Sequence, residues 1–451
     1  MPTVTLVALI VFALTYILMM AFEKLRPYVA VTSAVLFVLA GSLSLFDGFS
    51  YSFADAVREI DWNVIMMIAG TMGTVYLFIE SAMPQRMADI LISRVSSVRW
   101  AVLSLSLFAG VISAFVDNVA TVLMVAPVAL AICKKLNISP VGPIICIAVS
   151  SNLQGAATLV GDTTSILLAK AAGFDFLDFF FVDGKVGMFF VTEAGALVSA
   201  LILFLMFLKE KAPVRVNTRT EVKDKFPTYL LVGTVVLLIL VSFIPYEEAA
   251  LPGQRYKPAI TNGLICMALF AVGLVRRVIL DRNLDSVKAA VKEIDYYTIV
   301  LLTGLFIVIG GIKEAGVVDY LGRLLAKLGG SSNSIFLVYT VIVWMSVVLS
   351  AFIDNIPYTA TMLPVVAVLA ESLSAASGTP VDARLFYCGL LCGATLGGNL
   401  TPIGASANIA GIGILRKEGH EVSSGTFMKY GVPFTLAAVT TGYILIWLIW
   451  A

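Results

Sequence analysis

The sequence is short of charge. Asp, Glu, Lys and Arg supply 13% of its 451 residues, about half the ~25% usual in soluble domains, while apolar side chains supply 59%. A soluble protein of this size could not cover its surface with so few charges, so an ordinary soluble enzyme is excluded and an all-α polytopic membrane protein is indicated. The 30 Lys and Arg against 29 Asp and Glu leave no basic excess for nucleic acid. One histidine, His420, excludes a multi-His metal site, and the five cysteines lie scattered in apolar segments. Only Cys388 and Cys392 share a helical face, where packing is the simpler role. No nucleophile stands beside a base, which argues against an intramembrane enzyme. The apolar start, residues 6–22, lacks a basic leader and a small-residue cleavage pattern and is long enough to span.

What the sequence has instead is apolar runs of membrane length. A span needs about 20 such residues, and ten full-length spans are predicted, the first at 3–22 and the last at 427–450. Two further stretches, 100–133 and 333–370, are too long for one span and too short for two comfortable ones. Each carries an Asp-Asn pair near its middle, which predicts a re-entrant helical hairpin. With hairpins returning to the side they entered, 21 of the 30 Lys and Arg residues fall on one side, Lys24 and Arg26 among them. That side is predicted cytoplasmic and both termini extracytoplasmic, with the plasma (inner) membrane as location.

The chain also repeats itself. Ile60-Asp61-Trp62 is echoed by Ile294-Asp295-Tyr296 at an offset of 234, and Ser113-Ala114-Phe115-Val116-Asp117-Asn118 by Ser350-Ala351-Phe352-Ile353-Asp354-Asn355 at 237. Gly155, Thr158 and Gly161 match Gly398, Thr401 and Gly404 at 243. Two repeats, 1–208 and 227–451, meet at a basic cytoplasmic linker, 209–226. Each holds five spans and one hairpin, and five is odd, so the second repeat is predicted upside down relative to the first. Inverted-topology repeats with discontinuous helices are the signature of secondary transporters, whose site lies near the midplane.

Polar residues at membrane depth mark the candidate site. In the hairpins they are Asp117, Asn118 and Thr121, and Asp354, Asn355 and Thr359. In two spans of about 31 residues, ~10 more than a membrane needs, they are Asn152, Gly155, Thr158, Gly161, Asp162 and Thr163 in 141–172. Their counterparts in 385–415 are Gly398, Asn399, Thr401, Gly404, Ser406 and Asn408. Glycine and Pro402 at their centres predict broken helices, whose free amides attract anions and whose free carbonyls hold cations. Asp and Asn also serve as helix caps. Ionisable groups at this depth mark ion paths, and Asp162 stands out because its partner in the second half is Ala405. Lys170 and Lys313 lie at span ends and are expected to reach the interface. With no arginine in the central pieces, an anion would have to be held by half-helix amides and co-bound cations. A Na⁺ is expected near Asp117, Asn118, Asp354 and Asn355, or H⁺ in its place.

These residues carry a family resemblance. Ser-Ala-Phe-Val-Asp-Asn-Val-Ala-Thr at 113–121, Phe-Ile-Asp-Asn-Ile-Pro-Tyr-Thr-Ala-Thr-Met-Leu-Pro-Val at 352–365 and Gly-Gly-Asn-Leu-Thr-Pro-Ile-Gly-Ala-Ser-Ala-Asn at 397–408 closely resemble the P-protein and bacterial permease family. It belongs to the ion transporter superfamily, with arsenite permeases, citrate transporters, divalent-anion/sodium symporters and sodium/proton antiporters. The resemblance implies a scaffold domain, a moving transport domain that includes both hairpins, elevator-like movement, and often a homodimer in the lipid bilayer. Two departures bear on the carry-over. Gly161-Asp162-Thr163-Thr164-Ser165 stands where Gly-Asp-Pro-Pro-Asn is usual, and the hairpin tips read Asp-Asn where the dicarboxylate symporters have Ser-Asn-Thr. The expectation is an ion-coupled permease of a small anion or oxyacid, arsenite-like solutes among them, with a Na⁺/H⁺ antiporter as the alternative. Asp117, Asp162 and Asp354 would read the driving ion.

Overall fold

The computed structural model describes residues 2–214, 220–246, 256–282, 284–327, 335–378 and 380–451. The middle of the expected linker and the first two residues of the second expected hairpin lie outside these. Among the described residues the chain forms twenty α-helices and one short β-hairpin, Phe181–Val182 with Lys185–Val186. The first half holds α1 (Thr3–Ala21), α2 (Arg26–Ser42), α3 (Phe53–Glu59), α4 (Trp62–Glu80), α5 (Met83–Ile92), α6 (Val98–Ser113), α7 (Asn118–Leu136), α8 (Val141–Gly155), α9 (Thr163–Ala172) and α10 (Met188–Met206). The second half holds ten in the same order: α11 (Phe226–Ser242), α12 (Thr261–Asp281), α13 (Asp285–Lys292), α14 (Tyr296–Glu314), α15 (Val317–Ala326), α16 (Ile335–Ser350), α17 (Asn355–Ser377), α18 (Ala383–Gly397), α19 (Ser406–Lys417) and α20 (Ser424–Trp450).

The repeated tripeptide has a local cause. Asp61 accepts a hydrogen bond from the backbone N–H of Val64 at 2.9 Å, and Asp295 accepts one from Thr298 at 3.0 Å. Both are N-caps, and each starts a 19-residue span. Among the described residues eight helices are long and apolar enough to cross a membrane, and they include α7 and α17. The outgoing arms of the two expected hairpins are thus longer than the sequence suggested. The incoming arms α6 and α16, at 16 residues or roughly 24 Å, fall short of a ~30 Å hydrocarbon core.

Packing between the halves is reciprocal. α2 lies on α14, and its counterpart α12 lies on α4; α9 lies on α17 and α18, and α19 lies on α7 and α8; α10 meets α20. Small residues permit the first pair of contacts. A Cβ on Gly70 of α4 would stand 2.4 Å from the Cys266 carbonyl carbon of α12, and one on Gly304 of α14 would stand 2.9 Å from that of Ala30 in α2. Without a hydrophobic force between helices in lipid, such close backbone approach supplies the association. At the centre, α8 is buried from Gly142 to Gly155 and α18 from Leu385 to Gly397. Helices covered on every face are core elements, and polar side chains of α8 bond within the protein: the Ser151 hydroxyl donates to the Asn118 carbonyl at 3.0 Å and the Asn152 amide to the Thr395 carbonyl at 2.8 Å. The periphery is the converse. Leu6, Ile10, Leu14 and Ile17 of α1 and Leu264, Val272 and Val275 of α12 are exposed, an apolar outer belt suited to hydrocarbon.

Candidate substrate and ion site

Four helix N-termini converge on one place. α6 ends at Ser113, the chain turns, and Asp117 caps α7 by accepting from the amides of Val119 at 3.0 Å and Ala120 at 3.1 Å. Asp354 does the same for α17, accepting from Ile356 at 3.2 Å. Between α8 and α9 the helix is interrupted over residues 156–162, and between α18 and α19 over 398–405 by a 3₁₀ turn and extended residues. Asp162 and Ala405 occupy the same position before their half-helices, at φ −143°, ψ 152° and φ −141°, ψ 141°. The two breaks are therefore the same structure carrying a carboxylate in one half and a methyl in the other.

Each break is held by close backbone crossing. A Cβ on Gly161 would stand 2.5 Å from the Gly155 carbonyl oxygen and 2.7 Å from that of Ser113; one on Gly404 would stand 2.6 Å from that of Gly398. The Thr158 hydroxyl donates to the Ala114 carbonyl and the Thr401 hydroxyl to that of Ala351, which ties each break to the turn before its half's α7 or α17. The Asn408 amide donates to the carbonyls of Gly398 and Thr401, both at 3.1 Å. Asn118 donates to the Asn152 side-chain oxygen at 3.0 Å; Asn152 donates to the Thr395 carbonyl at 2.8 Å and the Asn399 side-chain oxygen at 3.1 Å; Asn399 donates to the Val149 carbonyl at 2.9 Å. That chain crosses from one half to the other through the core.

A cavity of about 280 Å³ opens where these pieces meet. Its wall includes Asn118, Val119 and Ala120 from the start of α7, Thr163 from α9, Asn355 and Ile356 from α17 and Ser406 from α19. It also includes Asp117 and Asp162, the C-terminal part of α4 from Met72 to Ile79, and Glu293, Asp295 and Thr298 at the start of α14. Asp162 accepts from the Thr164 hydroxyl at 2.9 Å and from the Asn355 amide at 3.4 Å, so it touches both halves. Gly161 lines a smaller adjoining space of about 20 Å³. Thr121, Asn152, Gly155, Thr158, Thr359, Gly398, Asn399, Thr401, Gly404 and Asn408 do not line the central cavity; Asn152, Thr158, Asn399, Thr401 and Asn408 bind the breaks together.

Asp354 departs from the sequence expectation. Its carboxylate pairs with the Arg26 guanidinium at 3.0 Å and accepts from the Ser406 hydroxyl at 3.3 Å, and both charged side chains are 8% exposed. Arg26 thus sets a cation behind the cavity, beside Asp354, while among the described residues no Lys or Arg lines the cavity itself. Arg26 begins α2 rather than lying in a solvated connection, and its Nε donates to the Met19 carbonyl at 3.2 Å. No signal in the sequence separated it from Lys24 and the other cations of that side. Glu293 and Asp295 were also not among the expected site residues, although the 60–62/294–296 repeat had pointed at the segment. Among the described residues no three His, Cys, Asp or Glu gather closely enough to hold a metal.

The sequence profile of the citrate transporter family matches residues 9–386, well over half the chain. The chain belongs to that family. Similar proteins include a 46 kDa membrane protein of Mycobacterium leprae, 31% identical with 98% of both chains covered, and an uncharacterized transporter of Mycobacterium tuberculosis, 32% identical with the same coverage. The human P protein is 27% identical over 88% of this chain and 54% of its own length. In fold, this family member is similar to the YdaH transporter of Alcanivorax borkumensis, with a TM-score of 0.59, 16% identity and coverage of 94% and 98%. It is likewise similar to MtrF of Neisseria gonorrhoeae, with a TM-score of 0.59, 14% identity and coverage of 93% and 94%. It is a multi-pass membrane transporter with a small-molecule substrate and not an enzyme.

Proposed function

We propose that this transporter is an ion-coupled secondary permease of a small anion or oxyacid in the plasma membrane. The observation that carries the reading is the convergence of the N-termini of α7, α9, α17 and α19 on the cavity that Asp117 and Asp162 also line. Amides at helix starts attract an anion. The four carboxylates of the same wall, Asp117, Asp162, Glu293 and Asp295, repel it unless H⁺ or Na⁺ sits on them, so anion and cation enter together, which is coupling. Arg26 already compensates Asp354, which narrows the expected cation position to Asp117, Asn118 and Asp162. Citrate, the anion in the family's description, is the first candidate.

The same reading takes the two halves as inverted repeats, with α6–α7 and α16–α17 as re-entrant hairpins and movement of the elevator type. Reciprocal packing under exchange of halves supports it. The exposed outer faces of α1, α2, α11 and α12 would meet lipid or the second copy of a homodimer. A Na⁺/H⁺ antiporter remains the second reading, favoured by a cavity wall with Asp117, Asp162, Glu293 and Asp295 and no Lys or Arg.

Proteoliposomes decide between the two. With an imposed pH or Na⁺ gradient, cation flux is expected to require citrate or another added anion. Flux equally strong with every anion omitted establishes the antiporter. Asp162→Asn is expected to keep anion binding and to change the number of cations moved per cycle. An unchanged stoichiometry removes Asp162 from the site.

A further inference from the structure

The central cavity lies at one end of α4, lined by Met72, Val75, Tyr76 and Ile79. A second cavity of about 640 Å³ lies at the other end, lined by Trp62, Asn63 and Met67 of α4, by Lys170 of α9 and by Tyr246 and Asn262. Seventeen residues separate Trp62 from Ile79, roughly 26 Å along a helix, so the two cavities face opposite ends of one span. The small space beside Asp162 sits between them. It shares Met72, Val75, Asp117, Asp162 and Thr163 with the central cavity and Ile166 with the far one. The route from Asp162 to the far side is therefore interrupted at Ile166, with Ile68 on the near wall and Met67 on the far wall; all three are at most 4% exposed.

Lys170 follows Ile166 by four residues on α9, hence on the same helical face. Its ammonium meets the Asp61 carboxylate at 2.6 Å, and Asp61 is also the N-cap of α4. The pair ties the outer end of the broken helix to the start of the span that carries Met67 and Ile68.

We propose that the 640 Å³ cavity is the second mouth of the transport pathway, that Ile166 closing against Met67 and Ile68 is its gate, and that Lys170–Asp61 clamps the gate shut in the state seen here. The proposal rests on the chain's being a transporter and on neither the substrate nor the coupling ion. A gate of this thickness is a water-excluding constriction: a space of ~20 Å³ holds about one water, and the three side chains that close it, Ile166, Met67 and Ile68, are apolar.

Cysteine accessibility tests it. The five native cysteines are all buried, so a membrane-impermeant cationic methanethiosulfonate has little background. Trp62→Cys, on the far cavity, is expected to react from that face. Thr163→Cys, on the inner side of the gate, is expected to react slowly from that face and to speed up about tenfold, equivalent to ~1.4 kcal/mol, when Ile166→Ala is added. Ile166→Val should leave it slow, and Lys170→Met should speed it by a smaller factor. Reaction of Trp62→Cys at its usual rate in the Ile166→Ala background shows that the variant is folded. Equal Thr163→Cys rates with and without Ile166→Ala, or a Trp62→Cys unreactive from the far face, overturns the proposal. These outcomes are independent of whether any anion is carried.

Discussion

Arg26 and Asp354 are 328 residues apart and meet as one nearly buried pair. Taking one partner away leaves the other charge without compensation in a low-dielectric site, which costs about 3–5 kcal/mol in buried pairs, whereas removing both is far milder. Arg26→Met is expected to lower the thermal midpoint of the detergent-solubilised protein sharply, and Arg26→Met with Asp354→Asn to recover most of the loss. If the double variant is as unstable as the single one, the pair is not the source of the effect. The carboxylate was legible in the sequence because a charged residue in an apolar run stands out. The arginine was not, because two residues from Lys24 it looked like one more cation on the basic side, and only the tertiary fold brings the start of α2 to the Asp354 cap of α17. The glycines present the opposite case, legible as breaks but not as crossings. Gly161→Ala places a methyl 2.5 Å from a backbone oxygen, while at Gly413 in α19 a Cβ meets nothing within 4 Å. Overpacking costs roughly 1–3 kcal/mol, so Gly161→Ala is expected to lower the midpoint and Gly413→Ala to leave it unchanged or slightly raised. Equal midpoints for the two would mean that the crossing relaxes freely.

Among the helices, what the sequence shows best is where each begins and ends. Asp61, Asp117, Asp295 and Asp354 each accept backbone N–H bonds at a helix start, and all four belong to the repeated tripeptide or to the Asp-Asn tips. Capping and placement at the cavity are compatible for Asp117 and Asp295, which line it while bonding their own amides. Helix lengths were less legible. α7 ends at Leu136 and α17 at Ser377, past the expected hairpin limits of 133 and 370, and Pro127 and Pro364 lie inside them without ending them, helix-interior prolines being tolerated where neighbouring helices re-satisfy the backbone. Neither was it visible that Asn152 and Asn399 serve as cross-half ties rather than cavity wall, since composition at a given depth does not say which way a side chain points. Asn152 takes part in three bonds in the core. At an average near 0.6 kcal/mol for an interhelical hydrogen bond in a membrane, Asn152→Leu is expected to cost about 2 kcal/mol, read as a lower midpoint, and to loosen α8 from α18. A midpoint unchanged by Asn152→Leu would show that the chain of asparagines contributes no stability.

For the molecule as a whole, the orientation expected from the sequence rests on where its few charges fall. The 21 basic residues assigned to one side surround the α1–α2, α5–α6, α7–α8, α10–α11, α12–α14 and α19–α20 connections, and the Asp-rich connection at 173–187 is assigned to the other. If each half crosses five times and its hairpin returns, the α19–α20 connection and the 173–187 connection face opposite sides of the bilayer. If the arms α6 and α7, and α16 and α17, instead crossed fully, each half would gain two crossings and stay odd in number, so the two connections would keep the same faces. A charged thiol reagent added outside intact cells reads the orientation and whether the number of crossings between the two connections is odd. Glu421→Cys, exposed before α20, is expected to be protected until the membrane is permeabilised, while Phe181→Cys, on the exposed β-hairpin, reacts at once. Reaction of both from outside breaks the five-crossing count. Reaction of Glu421→Cys alone inverts the molecule and places the central cavity, which opens beside the C-terminal end of α4 and the start of α14, on the outer face.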